Sequence, residues 1–211
     1  MWCSILILQI FILAFAPNVV IFCCMKNRKL GFFAEIKSGY AFRSAILDDS
    51  YGRLAVIQPK DIISGKDSGF VHIKSASVSE RHILGCGSVL VTNRGMFCAR
   101  VFNGQFKAVT TSGVFVVRMN SESDVTPEYL ALYINSDVGQ RQIASKQEAM
   151  TVPALTMCQI QELKIPVIPK QKQLLLTKVF NTYQHCEDII SEIQAQNKML
   201  INQILKGAID G

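Results

Sequence analysis

A chain of 211 residues, 49% hydrophobic and 18% charged, holds enough apolar material for one sizeable core and one appended element, and this composition excludes a disordered tail. Its 22 lysines and arginines against 16 acids leave a formal net charge of +6, a surplus that suits a polyanionic partner without naming one. Cys3, Cys23, Cys24, Cys86, Cys98, Cys158 and Cys186, with His72, His82 and His185, form no C-x-x-C or H-x-x-x-H, so no metal site is expected. The cysteines read as small buried hydrophobes in a reducing cytoplasm.

Residues 1–24 carry no charge and run apolar from Ile5 through Cys24, broken only by Gln9, Pro17 and Asn18, a length that can span a bilayer. Lys26, Arg28 and Lys29 follow at once. A signal peptide carries positive charge ahead of its apolar stretch. Here the charge comes after it, an order that leaves the rest of the chain cytoplasmic behind an N-terminal membrane anchor. The other reading is an over-extended start, because Met25 opens a sequence with the composition of a soluble domain.

Residues 25–169 predict a mixed domain, α/β or α+β. Val89-Leu90-Val91 and Val114-Phe115-Val116-Val117 are β-branched and aromatic runs bounded by Gly87, Gly95 and Gly113, and read as strands; Leu54 to Ile57 and Val71 to Ile73 are weaker candidates. Thr126-Pro127-Glu128 supplies an N-cap and a proline in the first helical turn, followed by the apolar face of Tyr129, Leu130, Leu132, Tyr133 and Ile134. Ser136-Asp137 starts a second helix. Thr156 with Gln159 matches a capping box for a third, which must end before the strand-like Ile165-Pro166-Val167.

Residues 170–206 give the cleanest periodicity. With Leu176, Tyr183, Ile190, Asn197 and Ile204 at heptad position a, position d holds Val179, Cys186, Ile193 and Leu200, with no Gly or Pro among them. A helix of this span is a rod of about 55 Å, suited to pairing as a coiled coil; the alternative is an amphipathic helix folded back on its own domain.

Catalytic patterns are few. The chain lacks G-x-S-x-G, a phosphate-binding G-x-x-x-x-G-K-[ST], a dinucleotide-type G-x-G-x-x-G and the Asn/Asp-Pro-Pro-aromatic tetrapeptide of amino-methyltransferases. Glu35-Ile36-Lys37 and Glu162-Leu163-Lys164 match the E-x-K half of a metal-dependent nuclease, a chemistry that needs a further carboxylate on the same ion.

Glu35-Ile36-Lys37-Ser38-Gly39-Tyr40-Ala41-Phe42-Arg43-Ser44 resembles the opening of a target recognition domain from the specificity subunits of type I restriction-modification systems, and residues 57–61 resemble the family's next strand and turn. Gly87-Ser88-Val89-Leu90-Val91-Thr92-Asn93-Arg94-Gly95 is similar to its G-D-x-L-V-x-x-R-G stretch, with Ser88 in place of the acid. Pro127-Glu128-Tyr129-Leu130 through Asn135-Ser136 and Gly139-Gln140 resembles a P-E-Y-L, N-S, G helical pair. Thr151-Val152-Pro153-Ala154-Leu155 and Leu163-Lys164-Ile165-Pro166-Val167-Ile168-Pro169 resemble the approach to the conserved spacer helix. The series covers about residues 28–206. It departs from the family in carrying one recognition domain and one spacer helix rather than two of each, so the chain resembles a half subunit, and in reading Pro169-Lys170-Gln171-Lys172-Gln173 where P-P-L-x-E-Q is usual.

The resemblance implies a non-catalytic reader of double-stranded DNA, assembling with a methyltransferase subunit and a restriction endonuclease/translocase subunit. S-adenosylmethionine, ATP and Mg would then be held by those partners, and no cofactor by this chain. Of the net +6, residues 25–169 hold +5, in the domain expected to touch DNA. Asn93 and Arg94 carry side chains whose donors and acceptors match adenine and guanine edges, the alternative being a plain turn at Gly95. Tyr40 and Arg43 form a second candidate pair, the alternative being a core aromatic and a solvated charge. The heptads imply a second half subunit, a homodimer with antiparallel or parallel helices. A membrane-anchored coiled-coil scaffold is the competing function.

Overall fold

The computed structural model describes residues 26–49, 51–65, 69–74, 78–146 and 153–209. The segment 1–24, with its two readings, lies outside the described residues. Among the described residues no helix is long and apolar enough to cross a membrane.

In chain order the elements are β1 (Asn27–Lys29), α1 (Leu30–Phe33), β2 (Ala34–Ser38), β3 (Leu54–Ile57), α2 (Pro59–Ser64), β4 (Val71–Ile73), a 3-10 turn (Glu80–His82), β5 (Val89–Thr92), β6 (Ala99–Val101), β7 (Ala108–Thr110), β8 (Val114–Met119), α3 (Pro127–Asn135), α4 (Asp137–Ala144), α5 (Met157–Gln161), β9 (Lys164–Pro166) and α6 (Lys170–Ile209). The strands form a four-stranded sheet in the order β2-β8-β5-β6, a three-stranded sheet β4-β3-β7 and the pair β1-β9. Among the described strands only β3 and β7 run parallel. With α1, α3, α4 and α5 on one face of the antiparallel four-stranded sheet, the α+β alternative describes the domain better than α/β.

Alternation along each strand explains why the runs are apolar throughout. Val89 and Val91 of β5, with Phe115 and Val117 of β8, face a core shared with Leu30, Leu130, Ile134, Ile143, Ile160 and Leu163 from the helices and their flanks. The intervening Leu90, Val114 and Val116 face a second core with Ala55, Ile57 and Ala108 of the three-stranded sheet. That sheet's other side, through Leu54, Val56 and Val109, packs on Val78 and on Tyr40, Phe42 and Ile46 of the segment after β2. Successive strand side chains point to opposite faces, so a strand covered on both needs apolar residues at every position.

Local signals place the helix starts. The Thr126 hydroxyl accepts from the Tyr129 N–H at 3.3 Å, ahead of Pro127, and the Ser136 hydroxyl accepts from the Gly139 N–H at 3.2 Å. In α5 the Gln159 carboxamide oxygen accepts from the Thr156 N–H at 2.8 Å, and the Thr156 hydroxyl accepts in return from the Gln159 N–H. These reciprocal bonds satisfy helix-start amides that otherwise lack partners. The last helix spans 40 residues, a rod of about 60 Å. Gln173 and Thr177 are buried near its root while the seam residues Leu176 and Val179 stay exposed, so the rod is not folded back on the domain.

One sequence expectation is corrected. Among the described residues Cys86, Cys158 and Cys186 are exposed free thiols, not buried hydrophobes, and Cys98 is a half-buried one packed against the second core. The carboxylates of both E-x-K patterns are paired with lysines. Glu35 bonds Lys37 at 2.8 Å and Glu162 bonds Lys29 at 2.7 Å, contacts that hold both carboxyls below their usual range, and no cluster of three metal-binding side chains occurs among the described residues.

Candidate nucleic-acid interface

The short turn 111–113 joins β7 to β8 and is closed by the Val114 N–H donating to the Thr111 carbonyl at 3.0 Å. Peptide segments far apart in sequence fasten to it. From the β2 side, Gly39 N–H donates to the Val114 carbonyl and Tyr40 N–H to the Thr110 carbonyl, both at 2.8 Å. From the β5 side, Asn93 N–H donates to the Gly113 carbonyl at 3.1 Å. From β3, the Ile57 carbonyl accepts the Thr111 N–H at 3.2 Å, and Pro59 stands so close to Gly113 that a Cβ there would lie 2.9 Å from its Cγ. Gly39 leaves less room still, since a Cβ would collide with the Thr111 carbonyl. Glycine is required there for backbones to touch.

Beyond Asn93 the β5 chain continues as an antiparallel bridge between Arg94 and Ala154, with Gly95 N–H on the Pro153 carbonyl at 2.9 Å and Leu155 N–H on the Asn93 carbonyl at 2.9 Å. Gly95 has φ 71°, a left-handed conformation that glycine accepts without strain. Segments from all four motif stretches, 38–40, 57–59, 92–95 and 153–155, therefore meet at one end of the stacked sheets. Arg43, Lys60, Arg94, Met96 and Ser112 are exposed in this region, while Asp61, the acid beside Lys60, is spent on the Gln58 N–H at 2.8 Å. The acids of these stretches are engaged elsewhere, Glu35 with Lys37 toward the far end of β2 and Asp61 with the Gln58 N–H, and the exposed side chains of Arg43, Lys60 and Arg94 give the surface a character suited to phosphate.

The predicted site residues separate by environment. Arg94 and Arg43 are exposed. Tyr40 is half-buried and packs edge-on against Phe42 at 4.8 Å and His82 at 5.1 Å, which fixes the segment leading to Arg43. Burial, then the charges of Arg81 and Lys37, push the His82 pKa below its ordinary value. Asn93 is only 8% exposed, and its Nδ2 donates to the Ser112 carbonyl at 2.9 Å. In this conformation Asn93 cannot offer a base its paired donor and acceptor. It ties down the turn instead, leaving its buried Oδ1, like the Thr110 hydroxyl, without a partner among the described residues. Lys60 and Ser112 were missed by sequence reasoning; T-T-S-G between two strand-like runs marks a turn, but nothing local says what gathers on it.

The rod's root carries a second contact that sequence reading passed over. Gln173 is fully buried: its Oε1 accepts from the Thr126 N–H at 2.8 Å, and its Nε2 donates to the carbonyls of Asp124 at 2.6 Å and Ile168 at 2.8 Å. Lys172, where the usual motif has Glu, is exposed.

Residues 25–198 match the family model for the type I restriction modification DNA specificity domain. No match to a curated protein was found. Among solved structures, a chain from a study of complex assembly and conformational transition of the type I R-M system aligns with a TM-score of 0.66 at 17% identity, over 92% of this chain and 48% of that one. The HsdS subunit from Thermoanaerobacter tengcongensis aligns at 0.56 and 18% identity, over 76% of this chain and 37% of its own. The type I S subunit from M. genitalium aligns at 0.54 and 11% identity, over 77% of this chain and 40% of its own. The present chain thus spans about half the length of these structural neighbours or less. With the family model covering most of its length and the same fold in specificity subunits, the chain belongs to the type I restriction modification DNA specificity domain family.

Proposed function

We propose that this chain reads DNA sequence for a separate methyltransferase and a separate nuclease/translocase, and performs no chemistry itself. The observation that carries the reading is the convergence of the motif stretches on the turn 111–113, with Arg94 and Arg43 exposed on the segments that run to it. Phosphate contacts from such a surface supply affinity, and arginines reaching guanine edges supply choice. S-adenosylmethionine, ATP and Mg belong to the partner subunits in this scheme, and the assembly works in the cytoplasm.

The second half of the site comes from a second copy of the chain. The seam residues Leu176, Val179, Tyr183, Cys186, Ile190, Ile193, Asn197, Leu200 and Ile204 are all exposed on α6. At 100° per residue the seam is turned roughly 100° from the face that carries Gln173 and Thr177, so docking on the domain leaves it open. In an antiparallel pair centred between Ser191 and Glu192, Ile190 meets Ile193, Tyr183 meets Leu200, Val179 meets Ile204, and Asn197 meets the small thiol of Cys186. A two-fold pair presents identical reading surfaces in inverted orientation. Its target is an interrupted palindrome, with a gap bounded by the rod at about 16 base pairs. Methylome sequencing of cells carrying this chain with its methyltransferase is the test. A palindromic bipartite motif is expected. Two unrelated halves would exclude the homodimer, and methylation indifferent to sequence would overturn the reader.

A further inference from the structure

The buried amide of Gln173 stands at the root of the rod, where it meets the domain. Its neighbours Lys172 and Leu174 are exposed, yet its own side chain is 0% exposed and every hydrogen-bonding group on it but one acceptor lone pair is engaged. The three partners lie on two other segments. Asp124 and Thr126 lead into α3, Thr126 being its N-cap, and Ile168 closes the linker from β9 to the rod. One side chain therefore ties three segments, with bonds whose directions leave little freedom of angle. Thr177, one turn further, is also buried but turns its hydroxyl back to the carbonyls of Gln173 and Leu174, so it adds no such tie.

A lever argument gives this contact its weight. The rod is about 60 Å long, so a change of about 10° at the root moves the far tip by about 10 Å, the length of about three base pairs. Rejecting a gap wrong by one base pair requires the root angle to be held within about 3°. An apolar contact slides at small cost, whereas a buried amide with three directed bonds has one satisfied geometry, the manner in which buried polar residues fix register elsewhere. We infer that Gln173 is the positioning residue that sets the angle between reading domain and rod, and thereby the gap length that a pair of chains accepts. This rests on the proposed reading of the chain as half of a bipartite reader.

The test uses the full chain assembled with its methyltransferase on duplexes carrying the native half-sites at the native gap and at gaps one and two base pairs shorter or longer. Wild type is expected to methylate one gap length. Gln173→Met, which keeps the volume and loses the bonds, and Gln173→Asn, which is too short to reach all three partners, are expected to lower the preference for the native gap at least tenfold while the half-site sequence preference is unchanged. The Thr126 amide should exchange with solvent faster in both variants, with amides inside α3 unaffected. A wild type that discriminates gaps beside variants that discriminate equally well overturns this inference alone. A wild type indifferent to gap overturns the bipartite reading, and this inference with it. Failure of both variants to fold assigns Gln173 to domain stability and overturns the positioning role.

Discussion

Arg94 and its neighbour Asn93 divide the work of their turn, one exposed, the other bonded to the Ser112 carbonyl beneath it. Their substitutions should separate accordingly. Arg94→Ala in the assembled enzyme is expected to weaken cognate methylation by about 1–3 kcal/mol, the cost of a lost base contact, with the melting temperature unchanged. Asn93→Ala removes a partly buried hydrogen bond, and should cost about 1 kcal/mol or more of folding stability while the methylated motif stays the same. Equal methylation rates for wild type and Arg94→Ala would remove Arg94 from the contact set. The place of Arg94 was open to sequence reading because Asn-Arg-Gly after an apolar run marks a strand ending in a turn. The inward rotation of Asn93 was not, because its partner Ser112 lies 19 residues away in the turn that joins the two sheets.

At the scale of elements, what could be read early was what neighbouring residues decide. Thr126, Ser136 and Thr156 announce helix starts through bonds made three residues on, and the heptads from Leu176 announce the rod. The pairing of β1 with β9, the shared tie of α3 and α6 to Gln173, and the gathering of distant stretches on residues 111–113 depend on long-range contacts that leave no local trace. Short strands such as Ala108–Thr110 escape for the same reason, three residues being too few to show a period. One long-range tie has a pH signature. The Tyr129 hydroxyl on α3 donates to the Pro166 carbonyl of β9 at 3.0 Å, and burial, then Tyr133, push its pKa up to about 12. The folded state holds this proton more tightly than the unfolded chain, whose tyrosines ionise near 10, so the stabilisation is complete below pH 10 and drains away as pH rises toward 12. Urea unfolding at pH 9 and pH 11.5 should show the loss, and Tyr129→Phe should flatten it, leaving a smaller slope of the same sign from the likewise raised Tyr133. An unchanged slope in Tyr129→Phe would place the alkaline sensitivity elsewhere.

For the whole molecule, the thiol at Cys186 would report how the two rods of the proposed pair lie. In a parallel pair each Cys186 faces its own copy, within reach of a disulfide. In the antiparallel register it faces Asn197, and the two thiols stand about 16 Å apart along the axis. Mild oxidation of the purified chain, followed by peptide mapping, is expected to yield no Cys186 to Cys186 link although the thiol is exposed; rapid formation of that link would establish the parallel pair. The arrangement of β1 against β9 bears on how such an assembly can be encoded. The polypeptide comes into the domain and leaves it at one corner, where Val167 N–H bonds the Lys26 carbonyl at 3.2 Å, and the rod springs from the same corner. In the antiparallel register Ile209 of one helix falls level with Leu174 of the other, so the tip of each rod arrives where its partner's domain begins. A linker of a few residues could join them covalently, turning two identical half readers into one continuous polypeptide whose halves are then free to diverge and to recognise different bases.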